Sequence, residues 1–314
     1  MNMNTHYQYI HPQVYESSHS GPHLLIIAGI HGDEYEPIHA VERLIDEMEK
    51  ASFLKRGKLT LVPVVNEPAH QLDARCGPDN KDLARTCPGN PEGSITEKIA
   101  AEISDLIRTS DYLIDMHTGG KRFEIYPLSG YMLHSNALIL EKQRKMSQVF
   151  GLPVQWGTSP LLEGRTLSVA RDAGIPAIYT EYGGGGPSQP EIVEALYKGC
   201  MNVLTDLDMI QVRSGTAKTP IYTVEDHRPE SGHLQILYPS PVSGPINYLI
   251  SLGEKVQKGQ SVARIRQNDE KDEITIVSQD EGIVFLINRQ PEIEEQVSTL
   301  GILPIIQPGK ITLI

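Results

Sequence analysis

The sequence predicts an α/β fold, a largely parallel sheet flanked by helices, with a compact all-β region behind it. Three observations carry this. Apolar, mostly β-branched runs at residues 24–29, 58–66, 111–116 and 175–180 each end in polar or turn-forming residues, the form of buried strands. Segments with helical spacing lie between them, and strand–helix alternation is the pattern of a parallel sheet. From about Val212 onward the helical period stops, and short apolar runs are punctuated by glycine and proline, as in a β domain.

After the first strand, Val41, Leu44, Ile45 and Met48 share one helix face, and Ile99, Ile103, Leu106 and Ile107 share another before the third strand. Ile192, Leu196, Cys200, Val203, Leu204 and Leu207 recur every three or four residues, which predicts a last helix over 191–208. The domain boundary is therefore expected near residue 215, giving a catalytic domain over 1–215 and a C-terminal β domain over 216–314. Within the latter, Ser243-Gly244-Pro245-Ile246 followed by Gly253 through Gln260 resembles one half of a biotinyl/lipoyl-type barrel, and Asp280-Glu281-Gly282-Ile283 resembles the start of a second. An array of generic hairpins fits this pattern equally well.

The 314 residues suffice for one large domain and a smaller one, since single cores stop growing near ~250 residues. With 28 Lys+Arg against 40 Asp+Glu, the net charge of -12 repels phosphate backbones and anionic membrane surfaces, so nucleic acid and membrane are not expected as partners. No apolar run approaches the ~20 residues of a membrane helix. The polar opening lacks a basic start followed by an apolar stretch, so a cytoplasmic location is expected. Cys76, Cys87 and Cys200 are odd in number and form no Cys-x-x-Cys pair, which argues against disulfides and a thiolate metal site.

His-x-x-Glu occurs three times, at His31–Glu34, His39–Glu42 and His227–Glu230. The second lies inside the first helix, away from its apolar face, and the third contains Pro229 in a loop. Only His31-Gly32-Asp33-Glu34 follows directly on an apolar strand and precedes a helix, where α/β sheets place their ligand-binding residues. A hydrolytic zinc site takes three protein ligands and leaves one position open. His117, at the end of the third strand in Asp115-Met116-His117-Thr118-Gly119-Gly120, completes the set. Asp115 fits both a carboxylate that orients a ligand and a buried structural group. A zinc site of this kind also needs a base, and Glu181 ends the fourth strand before Gly183 through Gly186, glycines expected to leave room for a substrate.

The ordered combination resembles the succinylglutamate desuccinylase/aspartoacylase family, relatives of the zinc carboxypeptidases. His31 to Glu34 matches its first zinc motif, Asp115 to Thr118 its second, Glu181 its general base, and the region after 215 its C-terminal extension. The resemblance extends to the segment from Asn66 to Gly89, where it implies that Arg75 stabilises the oxyanion and Arg85 binds the substrate carboxylate. Ala84 stands where that family commonly has an asparagine that helps hold the carboxylate. The resemblance thus implies a zinc-carboxypeptidase-like mixed sheet, a C-terminal barrel-sandwich-like domain, one Zn2+ per chain and hydrolysis of small N-acyl amino acids.

A metallocarboxypeptidase acting on short peptides is the nearest alternative, since the same groups serve both reactions. A carrier role for the β domain is disfavoured, because Lys271 sits in Asp269-Glu270-Lys271-Asp272 without the flanking residues such modification requires. No Gly-x-Ser-x-Gly elbow is present, which argues against a serine nucleophile. The sequence leaves oligomeric state open.

Overall fold

The computed structural model describes residues 7–50, 53–211, 222–234, 237–267 and 273–304. The domain boundary expected near residue 215 and Lys271 lie outside the described residues. Eight strands come first, namely β1 (Gln13–Glu16), β2 (His23–Ile27), β3 (Lys58–Val62), β4 (Tyr112–His117), β5 (Phe123–Met132), β6 (Val154–Thr158), β7 (Ala177–Gly183) and β8 (Tyr222–Glu225). Among them run α1 (Tyr35–Lys50), α2 (Glu67–Gln71), α3 (Ile95–Arg108), α4 (Ala137–Phe150), α5 (Thr166–Ala173) and α6 (Pro190–Asp206).

Strands β3, β2, β4 and β7 lie side by side and parallel. The predicted strands and helix faces are thus present, with ends shifted by a few residues. Successive side chains of β2 go to opposite faces: Leu24 and Ile26 pack with α1, α4 and α6, while Leu25 and Ile27 pack with α3 and α5. A strand buried on both faces has to be apolar at every position, which is why these runs do not alternate with polar residues.

The sheet turns mixed at β5, which runs antiparallel to β7 and parallel to β6, with β8 parallel to β6. Farther along the chain come β9 (Gly244–Tyr248), β10 (Lys255–Val256), β11 (Ser261–Arg266), β12 (Glu273–Val277), β13 (Gly282–Asn288), β14 (Glu292–Ile293) and β15 (Leu300–Pro304). Of these, β13 pairs with the first residues of β5 and carries β10 and β15 with it into the central sheet. Strands β12, β11, β9 and β14 form a separate four-stranded antiparallel sheet. Val262 and Ala263 of β11 share a core with Val284 and Ile287 of β13 and with Ile302 of β15. The pieces that resemble a barrel are therefore divided between two packed β layers. Among the described residues, no helix is long and apolar enough to cross a membrane.

Candidate active site

Strands β2, β4 and β7 end at the same edge of the sheet, and the site is built on those ends. His31 and Glu34 lie in the turn between β2 and α1. Gly32 in that turn packs on α2 so closely that a Cβ would meet the Ala69–His70 backbone at 2.1–2.2 Å, so no other residue fits. In the parallel register of β4 and β7, His117 stands directly opposite Glu181.

The three expected metal ligands come together. His31 Nδ1 lies 2.7 Å from Glu34 Oε1, and His117 Nδ1 lies 2.9 Å from Glu34 Oε2. One ligand atom from each lies within 4.8 Å of the others, and all three residues are buried. Two imidazoles and one carboxylate with converging donor atoms fit a zinc ion, which takes nitrogen and oxygen ligands in a compact arrangement. Burial alone would disfavour ionised Glu34, but the charges and hydrogen bonds of the two histidines outweigh it and hold its carboxyl well below the usual range. His39, Glu42, His227 and Glu230 are exposed, so the rival His-x-x-Glu pairs lie on the surface.

Each histidine turns its other ring nitrogen to a second carboxylate. His117 Nε2 is 3.2 Å from Asp115 Oδ1, and the Thr166 hydroxyl donates to Asp115 Oδ2. His31 Nε2 is 3.2 Å from Asp82 Oδ1. Such partners fix the ring orientation of a metal ligand.

Asp82 does more than this. Its Oδ2 accepts from Arg75 Nε at 3.2 Å and from the other Arg75 guanidinium nitrogen, Nη2, at 3.0 Å. Its Oδ1 also accepts from Ala84 N at 2.9 Å, capping the short 3-10 turn Leu83–Arg85 that carries Arg85. Burial works against ionised Asp82, yet the His31 hydrogen bond and the Arg75 charge hold its carboxyl well below the usual range. Asp82→Asn is expected to weaken metal binding by about tenfold or more while the fold survives. Chelator competition beside a melting curve measures this; unchanged metal affinity would confine Asp82 to the turn.

Glu181 faces the same space, and its Oε2 is buried without a hydrogen-bond partner. Burial pushes its carboxyl up to about 8, with His117 opposing the shift and Glu34 adding to it. The pocket encloses about 100 Å³ and is lined by His31, Glu34, His117, Arg75, Arg85, Asp115 and Glu181. All six residues singled out in the sequence, His31, Glu34, Arg75, Arg85, His117 and Glu181, therefore line one pocket.

Arg165, which the sequence gave no reason to single out, lines it too. It donates from one guanidinium nitrogen to Gly232 O at 3.2 Å, and its Nη1 is buried without a partner. Burial and the neighbouring charge of Arg85 lower its pKa to about 10. The only signal was a basic residue just ahead of the first turn of α5, which reads as a surface group. Gly232, Leu234 and Leu286 also reach the pocket from beyond residue 215. Two of the glycines after Glu181, Gly183 and Gly184, serve chain packing, whereas Gly186 has open space around it. A Cβ at Gly183 would strike Ile192 at 2.2 Å, and one at Gly184 would meet Phe123 O at 2.5 Å.

Residues 20–207 match the model of the succinylglutamate desuccinylase/aspartoacylase catalytic domain. The chain belongs to the succinylglutamate desuccinylase/aspartoacylase family. It is 32% identical over 252 residues, 78% of this chain and 70% of the relative, to the N-alpha-acetyl-L-2,4-diaminobutyric acid deacetylase of Halomonas elongata. Among solved structures it resembles a succinylglutamate desuccinylase from a Silicibacter species, with a TM-score of 0.81 and 26% identity, covering 93% of this chain and 88% of that one. It also resembles the product-bound ectoine utilization protein EutE (DoeB) from Ruegeria pomeroyi, with a TM-score of 0.80 and 25% identity, covering 93% and 87%. The mixed sheet and the C-terminal antiparallel layer agree with the fold that the sequence resemblance implied.

Proposed function

We propose that this protein is a zinc-dependent deacylase, with one Zn2+ per chain, that hydrolyses the linear amide bond of small N-acyl amino acids. The observation that carries this reading is the convergence of His31 Nδ1, Glu34 and His117 Nδ1 in the pocket that also holds Glu181, Arg75 and Arg85. Bound by those three residues, zinc supplies Lewis acidity that polarises the amide carbonyl and acidifies the attacking water.

Glu181 takes a proton from that water at Oε2, the oxygen left without a hydrogen bond, and returns it to the leaving amine nitrogen. Arg75, tied to Asp82 by two hydrogen bonds, stabilises the negative charge that develops on the amide oxygen. Arg85 makes one side-chain hydrogen bond, to Ala84 O, and no carboxylate pairs with it among the described residues. Its guanidinium is therefore available for the substrate's carboxylate. A peptidase acting on short peptides would use the same groups. The small volume of the pocket, with Gly232, Leu234 and Leu286 in its lining, favours the smaller substrates, because a peptide needs an open groove.

A panel of N-acyl amino acids assayed with and without chelator tests the activity; no chelator-sensitive turnover of any member overturns it. Arg85→Ala is expected to lower kcat/KM for an N-acyl amino acid far more than for its amide analogue, because only the acid offers a carboxylate to grip. The same acid-to-amide ratio in both enzymes would remove Arg85 from carboxylate recognition.

A further inference from the structure

Lys121 joins three segments that carry groups of the site. It lies in the loop between β4 and β5, shortly after His117. Its backbone N–H donates to Asp33 Oδ2 at 3.1 Å, and Asp33 stands between His31 and Glu34 in the turn ahead of α1. Gly120 makes that approach possible: its φ is +57°, and a Cβ there would meet the same Asp33 oxygen at 2.6 Å. From the segment between β13 and β14, Gln290 Nε2 donates to Lys121 O at 3.2 Å and Arg289 N donates to Arg122 O at 2.8 Å. The backbone of Lys121 is therefore held from two sides.

Its side chain reaches the third segment. Lys121 Nζ donates to Asp73 O at 2.7 Å and also to Asp73 Oδ2, just ahead of Arg75 in the chain. Asp73 has a φ of +49°, a left-handed conformation that a residue other than glycine keeps when its surroundings hold it there. Tyr35 OH donates to Asp73 Oδ1 at 2.7 Å, so both carboxylate oxygens are engaged. The peptide between Asp73 and Ala74 is fixed at both ends, since its N–H donates to Ala69 O at 3.1 Å and its carbonyl accepts from Lys121. The next peptide, which leads into Arg75, has its carbonyl bonded to Gly32 N at 3.0 Å. Asp82 orients the Arg75 guanidinium, but the place of the Arg75 backbone follows from these bonds.

On the reading of Arg75 as the oxyanion-stabilising group, we propose that Lys121 is a positioning residue for the reaction, holding the Asp73 carbonyl and through it the Arg75 backbone in register with the turn that carries His31 and Glu34. A donor aimed at a developing charge loses much of its effect when displaced by about 1 Å. The Lys121 and Asp73 side chains are 56% and 49% exposed, and an exposed ion pair adds little to stability. Loss of the pair is therefore read in turnover and not in melting temperature.

The test measures kcat, KM, metal content and melting temperature of the zinc-loaded full chain with an N-acyl amino acid that the wild type hydrolyses. Lys121→Met keeps the N–H bonded to Asp33 and deletes the ammonium. It is expected to lower kcat by about tenfold with KM within about twofold, and with metal content and melting temperature as in the wild type. Lys121→Arg, which can donate to both Asp73 oxygens, is expected to recover most of the loss. In an Arg75→Ala background the Lys121→Met change should cost no more than about twofold, because the residue it acts through is gone. An equal loss in both backgrounds, an unchanged kcat in Lys121→Met, or a fall in kcat that comes only with lost metal or a lower melting temperature overturns the proposal and leaves the deacylase reading intact. An Arg75→Ala variant with wild-type kcat removes Arg75 from the oxyanion and this proposal with it, and a wild type that hydrolyses no N-acyl amino acid removes the deacylase reading as well. If the Arg75→Ala chain does not fold, recovery by Lys121→Arg decides, and its absence overturns the proposal.

Discussion

Glu181→Gln is expected to lower kcat by about a hundredfold or more while metal content and melting temperature stay close to wild type. The amide keeps the size and position of the carboxylate on β7 but cannot take a proton. Because Glu181 contacts none of the histidines by hydrogen bond, with Oε2 unpartnered, its replacement should leave the metal ligands in place. Binding of an unreacted N-acyl amino acid should persist where turnover does not. A Gln variant with near-normal kcat would exclude Glu181 as the base and direct attention to Asp115, another carboxylate lining the same pocket.

His31→Ala and His117→Ala are each expected to abolish chelator-sensitive activity and most bound metal, because each deletes one of three ligands. Elemental analysis of the purified variants is the direct measurement. His39→Ala, which alters an exposed helix residue in a second His-x-x-Glu pair, is expected to retain both. Equal metal loss at His39 would overturn the choice of motif. Glu34 accepts from both histidines, so removing either ring also leaves a buried carboxylate without half of its compensation, and some loss of stability should accompany the loss of metal.

Much of the site was legible because its central groups are local features of strand ends. His31, His117 and Glu181 each close an apolar run, and a polar residue ending a doubly buried strand has few structural reasons to be there. Asp82 and Arg165 lacked such a signal. Asp82 is a capping residue by local pattern, and only folding brings His31 and Arg75 to its two oxygens. Arg165 reads as a loop arginine until Gly164 is seen lying on the Arg85 backbone. The ten-residue strand β5 was hidden for another reason: Pro127, Ser129 and Gly130 interrupt the apolar pattern that would have marked it.

The sequence by itself determined the parallel core and picked out the three residues proposed here as metal ligands. Strands buried on both faces must be apolar throughout, and helices between them must show a 3.6-residue period, so local composition records both. Tertiary structure alone decided that β5 reverses direction, that β13 joins the central sheet through β5, and that Leu234 and Leu286 wall a pocket whose polar residues lie far earlier in the chain. Strand direction and long-range contact depend on which surfaces meet when the chain closes, and a leucine that lines a pocket is chemically identical to one that fills a core.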